Sequence, residues 1–268
     1  DKRYFLFFEG VGSYATVYIN GRKVGSHAGG RTTFTLDITD AVRTDRPNIL
    51  AVQADHPPMI ADLPWVCGGC SSEWGFSEGS QPMGIFRPVT LVVTNSVRIE
   101  PFGVHAWNHE PEIKGKNKIF KLNVNTEIKN YSSEERTFEI IQKLVNEDGI
   151  QVDRITNQIK LKANTSTTIN QTGKELVNPG LWDVEKPYLH KLITMIKENG
   201  TVIDQEITPY GFRWISWPVY RNDGDNRFYL NGRPVFLNGV CEYEHMFGES
   251  HAFTEDQILS RISQMRAA

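Results

Sequence analysis

The chain has 268 residues, a formal net charge of −3, 39% hydrophobic and 23% charged residues. That is the balance of a soluble globular fold. The small negative charge gives no electrostatic reason to expect nucleic acid or an anionic membrane as partner. No stretch approaches the ~20 apolar residues of a membrane-spanning helix, and the length suits two domains and a remnant. The sequence opens directly on Asp1-Lys2-Arg3-Tyr4-Phe5, with neither an initiator Met nor a signal peptide, as a piece of something larger would.

Three cysteines cannot build a disulfide framework. Cys67 and Cys70 form a lone C-x-x-C, Cys241 is far away, and a zinc site would need a second ligand pair, for which His56 is the nearest candidate. Free thiols or a local disulfide are favoured, and neither a metal nor another cofactor is expected. The cysteines leave the redox compartment undecided; a periplasmic or extracellular location is favoured over a cytoplasmic one.

The first segment reads as short strands. Phe5-Leu6-Phe7-Phe8 and Ala15-Thr16-Val17-Tyr18-Ile19 are separated by Gly10-Val11-Gly12, and Asn20-Gly21 makes a tight hairpin turn toward Val24. Residues 33–38 alternate with period two, 48–54 form another strand, and 89–93 close the set. Between 55 and 88 the pattern stops. Five of the 13 prolines, Trp65, Trp74, Phe76 and two cysteines fall there, which predicts a long functional loop held by its aromatics.

From 97 to about 213 a second all-β stretch follows. Residues 118–125 and 138–144 alternate, 146–149 carry turn chemistry, and 188–196 pair through Asn199-Gly200 with 201–203. About seven strands over ~100 residues fit an immunoglobulin-like sandwich, here without the inter-sheet cysteine pair. After Trp217 the character changes again. Phe228-Tyr229-Leu230, the turn Asn231-Gly232 and the apolar run 235–240 predict a hairpin leading into a strand. Thr254 then stands as N-cap with Glu255 and Asp256 in the first turn and Gln257 at the third position. Ile258, Ile262 and Met265 follow at helical spacing, so 254–268 predicts an amphipathic helix. A strand and a helix in that order match the first unit of a (β/α)8 barrel.

Four stretches resemble glycoside hydrolase family 2, the β-galactosidase, β-glucuronidase and β-mannosidase group. Phe8-Glu9-Gly10-Val11 with Val17-Tyr18-Ile19-Asn20-Gly21-Arg22-Lys23-Val24-Gly25 is similar to the "FEGV…V-x-[IV]-N-G-x-x-V-G" run of the family's sugar-binding jelly roll. Gly84-Ile85-Phe86-Arg87-Pro88-Val89 resembles the "G-I-[YF]-R-x-V" strand that ends it. Leu181-Trp182, Pro187-Tyr188-Leu189-His190 and Gly211-Phe212-Arg213 resemble the "LW…P-x-L-Y…GFR" run that closes the immunoglobulin-like domain. Phe228-Tyr229-Leu230-Asn231-Gly232-Arg233-Pro234 through Gly239-Val240 resembles the "F-x-L-N-G-K-P-x-x-L-x-G-V" lead-in to the catalytic barrel. The order is the family's. Two departures stand out: the jelly roll here begins in mid-domain, and Cys241-Glu242-Tyr243-Glu244-His245 replaces His-rich sequence after Val240.

The resemblance implies a mainly β chain: a jelly-roll sugar-binding β-sandwich over 1–97, an immunoglobulin-like β-sandwich over 98–213, and a linker with the first strand–helix piece of a truncated TIM barrel over 214–268. It also implies a retaining mechanism, in which two carboxylates ~5 Å apart act as acid/base and nucleophile. The family carries both on later barrel strands, so no catalytic residue is expected here, and the intact enzyme's partner would be a β-glycoside carbohydrate. Glu244 or His245 would touch substrate hydroxyls at the barrel mouth, the alternative being a solvated loop. Trp65 and Trp74 would stack on sugar or pack at a domain interface. A carbohydrate-binding or adhesion module of stacked sandwiches is the rival reading. Oligomerisation, if it occurs, would use the barrel segment.

Overall fold

A computed structural model describes residues 2–56, 83–217, 224–241 and 251–267. The chain is mainly β and divides into two compact units, residues 94–239 and residues 2–93 with 240–268.

In the unit of residues 2–93 and 240–268, the strands are β1 Lys2–Phe8, β2 Val11–Gly12, β3 Tyr14–Ile19, β4 Arg22–Ala28, β5 Phe34–Asp37, β6 Leu50–Asp55, β7 Gly84–Ile85 and β8 Val89–Asn95. They form sheets of order β5-β1-β8 and β4-β3-β6 with a short β2-β7 pair. Alternation along β1 and β3 sends Leu6, Phe8, Ala15, Val17 and Ile19 inward to one core with Val11, Phe34 and Ile38. Phe8 and Phe34 stack at 4.6 Å. The β3–β4 hairpin turns at Asn20 and Gly21, whose φ values of 52° and 82° are those of a type I′ turn. Asn20 also donates to the Ala41 carbonyl at 3.0 Å and accepts from the Ile49 amide at 3.1 Å, so the turn residue pins the loop ahead of β6. Gly25 has no Cβ because one would sit 2.5 Å from Leu36.

Residues 94–239 contain β9 Val97–Trp107, β10 Glu112–Lys114, β11 Asn117–Phe120, β12 Asn123–Asn130, β13 Arg136–Val145, β14 Gln151–Leu161, β15 Ser166–Thr172, β16 Leu176–Val177, β17 His190–Glu198 and β18 Thr201–Tyr210. A three-stranded sheet β15-β12-β9 faces a four-stranded sheet β14-β13-β17-β18, with a small β10-β11-β16 sheet beside them. The run 118–125, expected as one strand, is two. β11 pairs β10 and β16, whereas β12 pairs β9 and β15. Side-chain alternation carries across Leu122, buried at 1% exposure, while the hydrogen-bond partners change. A composition pattern reports faces and is blind to partners.

The core of this sandwich is layered. Val97, Ile99, Ile128, Phe138, Ile140, Leu161 and Ile196 form one apolar cluster. Phe120, Leu122, Val124, Leu144, Leu192 and Phe212 belong to another. Between Ile140 and Leu144 on β13 lies Gln142, opposite Thr194 on β17. The Gln142 amide donates to Thr126 Oγ1 and to Gln171 Oε1, both at 3.0 Å, and its oxygen accepts from Thr194 Oγ1 at 2.7 Å. Gln171 in turn donates to Asn157 at 2.8 Å. Thr126 and Gln171 stand on one sheet, Gln142 and Thr194 on the other, and all four are buried.

A last sheet of order β19-β20-β21 comprises β19 Ile215–Ser216, β20 Phe228–Leu230 and β21 Arg233–Val235. The apolar run expected as a strand to 240 stops pairing at Val235, and Phe236 is 86% exposed. Apolar content favours extended backbone, but a strand needs a partner to complete its ladder. The helix α1 Glu255–Ala267 agrees with the capping signals: Gln257 N donates to Thr254 Oγ1 at 3.4 Å, and Gln257 Oε1 accepts from the Thr254 amide at 2.6 Å. None of its residues is buried; Ile258, Leu259, Ile262 and Met265 face solvent among the described residues.

Replacing Gln142 by Leu strands Thr126, Gln171 and Thr194 in a dry interior. We expect a cost of about 2–4 kcal/mol, larger than for Ile140→Val at about 1 kcal/mol. Urea midpoints of the two variants check this. Adding Thr126→Val and Thr194→Val to Gln142→Leu should recover part of the loss, because fewer polar groups then remain unpaired.

Candidate functional site

Glu244, His245, Trp65 and Trp74, and with them Cys67 and Cys70, lie outside the described residues. Cys241 is an exposed free thiol. Among the described residues no group of three His, Cys, Asp or Glu is placed to hold a metal ion, and no helix is long and apolar enough to cross a membrane. What the described residues do bring together are the motif stretches in two pairs, one pair within each unit.

The motif that ends the first strand set meets the chain just ahead of α1. His251 is 3% exposed, stands edge-on to Phe86 at 6.2 Å, and has its Nε2 3.4 Å from an Arg31 guanidinium nitrogen. The Arg87 guanidinium lies 4.4 Å from the centre of the Phe253 ring. Phe86 takes up the space where a Cβ on Gly10 would fall 2.6 Å away, so the glycine of the "FEGV" run is what lets Phe86 lie there. Consecutive motif residues, Phe86 and Arg87, therefore hold His251 and Phe253. Sequence reasoning weighed Glu242 to His245 and missed His251, which no pattern around it marks as buried.

The other two motifs meet within residues 94–239. Asn231, at the β20–β21 turn with φ 54°, is 7% exposed. Its backbone amide donates to the Trp214 carbonyl at 3.0 Å, and its side chain donates to the Trp182 carbonyl at 2.9 Å while accepting from the Trp214 amide at 3.3 Å. Arg233 donates to Asp183 Oδ2 at 2.6 Å, and that guanidinium, with help from Asn231, holds the Asp183 carboxyl below the usual carboxylate range. Arg213 lies over the Trp182 ring at 5.2 Å. A Cβ on Gly211 would strike Trp182 at 2.6 Å. Leu-Trp, Gly-Phe-Arg and Asn-Gly are thus three parts of one contact group. Trp214 packs on Phe120 at 6.0 Å and under Lys118 at 5.2 Å.

His190 sits beside this group, 2% exposed, edge-on to Phe212 at 5.1 Å and with no hydrogen-bond partner for Nδ1. Burial lowers its pKa, against a smaller raising effect of its bond to the Tyr210 backbone. The folded state therefore resists protonating it. A depressed histidine costs nothing above the ordinary value of 6.5 and destabilises as pH falls below it, until the folded form also binds the proton.

Two outcomes follow. Asn231→Ala removes the side-chain bonds and places alanine at positive φ; we expect a loss of about 2 kcal/mol in urea, with Asn231→Gly recovering only the backbone part. In urea melts between pH 7 and pH 5, His190→Phe should flatten the decline in stability relative to the parent chain. His27, also lowered chiefly by burial, leaves a residual slope in both.

Residues 103–213 match the family profile described as Glycosyl hydrolases family 2. The chain is 28% identical over 249 residues to a β-glucuronidase of Bacteroides fragilis, covering 91% of this chain and 33% of that protein. It is likewise 28% identical over 245 residues to a β-galactosidase of Bacteroides ovatus, covering 91% of this chain and 26% of the relative. The crystal structure of a Bacteroides uniformis β-glucuronidase superposes with a TM-score of 0.84 at 27% identity, over 99% of this chain and 30% of that one. The chain thus spans a third or less of these three relatives. The chain resembles glycoside hydrolase family 2: residues 103–213 match its profile, and the relatives above, a β-galactosidase and two β-glucuronidases, are similar over nearly the whole chain.

Proposed function

We propose that this chain is the non-catalytic N-terminal portion of a retaining exo-glycosidase that resembles β-galactosidase, acts on β-glycosides and serves carbohydrate metabolism. The observation that carries the reading is one of proportion. Almost all of this chain, 99%, aligns with a β-glucuronidase structure, yet it accounts for only 30% of that chain. The family's barrel carboxylates would then lie in the remaining part, and the role of these residues is to support and shape the barrel's active site. In that reading 1–97 is the jelly roll, 98–213 the immunoglobulin-like sandwich and 214–268 the linker and start of the barrel. Glu244, His245, Trp65 and Trp74 contact substrate in the longer protein. The solvent-facing stripe of α1 finds its cover on the barrel strands, or on a second copy of the chain where these are absent.

The reading predicts that the chain alone does not turn over nitrophenyl β-galactoside or β-glucuronide, since an oxocarbenium-like transition state needs a carboxylate pair at close range. Release of nitrophenol above the buffer blank, lost in Glu244→Gln, would show that catalytic groups lie within these residues and overturn it.

A further inference from the structure

We infer that the cleft between the end of β9 and the segment following β18 is a binding site for a neutral pyranose sugar. The cleft, of about 430 Å3, lies wholly within residues 94–239, with Trp107, Asn108 and Glu110 on one side and Tyr210, Arg213 and Trp214 on the other. That volume is in the range of small-molecule sites, roughly 300–1,000 Å3.

Its walls are tied together. The Tyr210 hydroxyl donates to Asn108 Oδ1, and Asn108 Nδ2 donates to the Arg213 carbonyl at 2.9 Å. Burial pushes the Tyr210 phenol well above its ordinary range, so it stays a donor at any physiological pH. The other N–H of Asn108 donates to the His109 carbonyl at 2.8 Å, so both Asn108 donors are used and the side chain serves as a brace. A braced cleft loses little freedom when it binds, which matters for a ligand as weakly held as a sugar.

The groups left over are those a sugar uses. Neither Trp107 nor Trp214 has a partner for its indole N–H, and Glu110 has none for its carboxylate, among the described residues. Arg213 spends one nitrogen on a long bond of 3.4 Å to the Gly211 carbonyl and its face on Trp182, which leaves other N–H groups to donate. An indole face suits the C–H face of a pyranose, and a carboxylate accepts from two adjacent hydroxyls. Ligand charge is constrained as well. Glu110 opposes an anion and Arg213 a cation, so an uncharged polyol meets both without penalty. The cleft would take a sugar whether or not the longer protein is a glycosidase.

Titration of the 15N-labelled chain with methyl β-galactoside, methyl β-glucoside and cellobiose tests the assignment. Saturable shifts of the Trp107 and Trp214 indole signals are expected with at least one of them, Trp182 remaining still. Glu110→Gln, at an exposed position, should weaken binding about tenfold, a change of about 1.4 kcal/mol. Trp107→Ala should abolish it, with the spread of the other indole signals reporting an intact fold. The assignment fails if none of the three sugars gives a saturable shift. It fails equally if the shifts survive undiminished in both variants, fall on Trp65 and Trp74 instead, or are reproduced by inorganic phosphate.

Discussion

A buried glutamine sets the terms for the larger sandwich. Gln142 offers donors and an acceptor, and Thr126, Gln171 and Thr194 between them engage both ends of its side chain. An amide left unpaired in that interior would cost more than the hydrogen bonds gain in their own right, so the arrangement tolerates one register. A slip of β13 by one residue would turn Gln142 outward and bring Lys143 in, and the apolar clusters around Ile140 and Leu144 would turn with it. Immunoglobulin-like sandwiches with an inter-sheet disulfide fix the two sheets by a covalent bond. Here four side chains fix them by requiring one another.

Something similar, on a smaller scale, explains why the motif strings have the form they do. Asn20 and Asn231 both occupy left-handed turns beside a glycine, which would make them ordinary hairpin residues. Each also sends its side chain into a neighbouring segment: Asn20 to the stretch between Ala41 and Ile49, Asn231 to Trp182 and Trp214. Asparagine tolerates that backbone conformation and carries an amide, so one residue makes the turn and ties the turn to the fold. Glycine could do the first and not the second. Gly25 and Gly211 are fixed by a different need, since Leu36 and Trp182 fill the space a Cβ would take.

Much of this was legible in the sequence, and the boundary of what was legible is physical. Alternation gave β3, β13 and β17 within a residue or two, and Asn-Gly turns marked where β4 and β18 begin, because period two and a left-handed turn are local properties; β18 runs on to Tyr210, well past the 201–203 expected. The Thr254–Gln257 cap was equally local and closed as expected. What depended on a partner was not readable. Residues 118–125 divide where the chain changes sheets, and the apolar run after Val235 lacks a neighbouring strand among the described residues. Gln142 did leave a trace, a polar side chain at an inward position between Ile140 and Leu144. His251 left none: its burial comes from Phe86, far away in sequence. The residues proposed to meet substrate, Glu244, His245, Trp65 and Trp74, rest on family resemblance and position, and no local rule could have fixed their geometry.

The helix α1 shows how far local signals reach when packing does not support them. Its N-terminus has everything a helix start can have: a reciprocal cap, Glu255 and Asp256 in the first turn, and an anchor a few residues back where His251 and Phe253 meet Phe86 and Arg87. Its apolar stripe has no cover among the described residues. Caps and end charges contribute about 1 kcal/mol each, whereas an isolated helix of this length is marginal in water. Each Å2 of uncovered apolar surface forgoes about 25 cal/mol of burial. The anchored end and the bare face therefore belong to different balances: the first is complete among the described residues, and the second finds no cover among them.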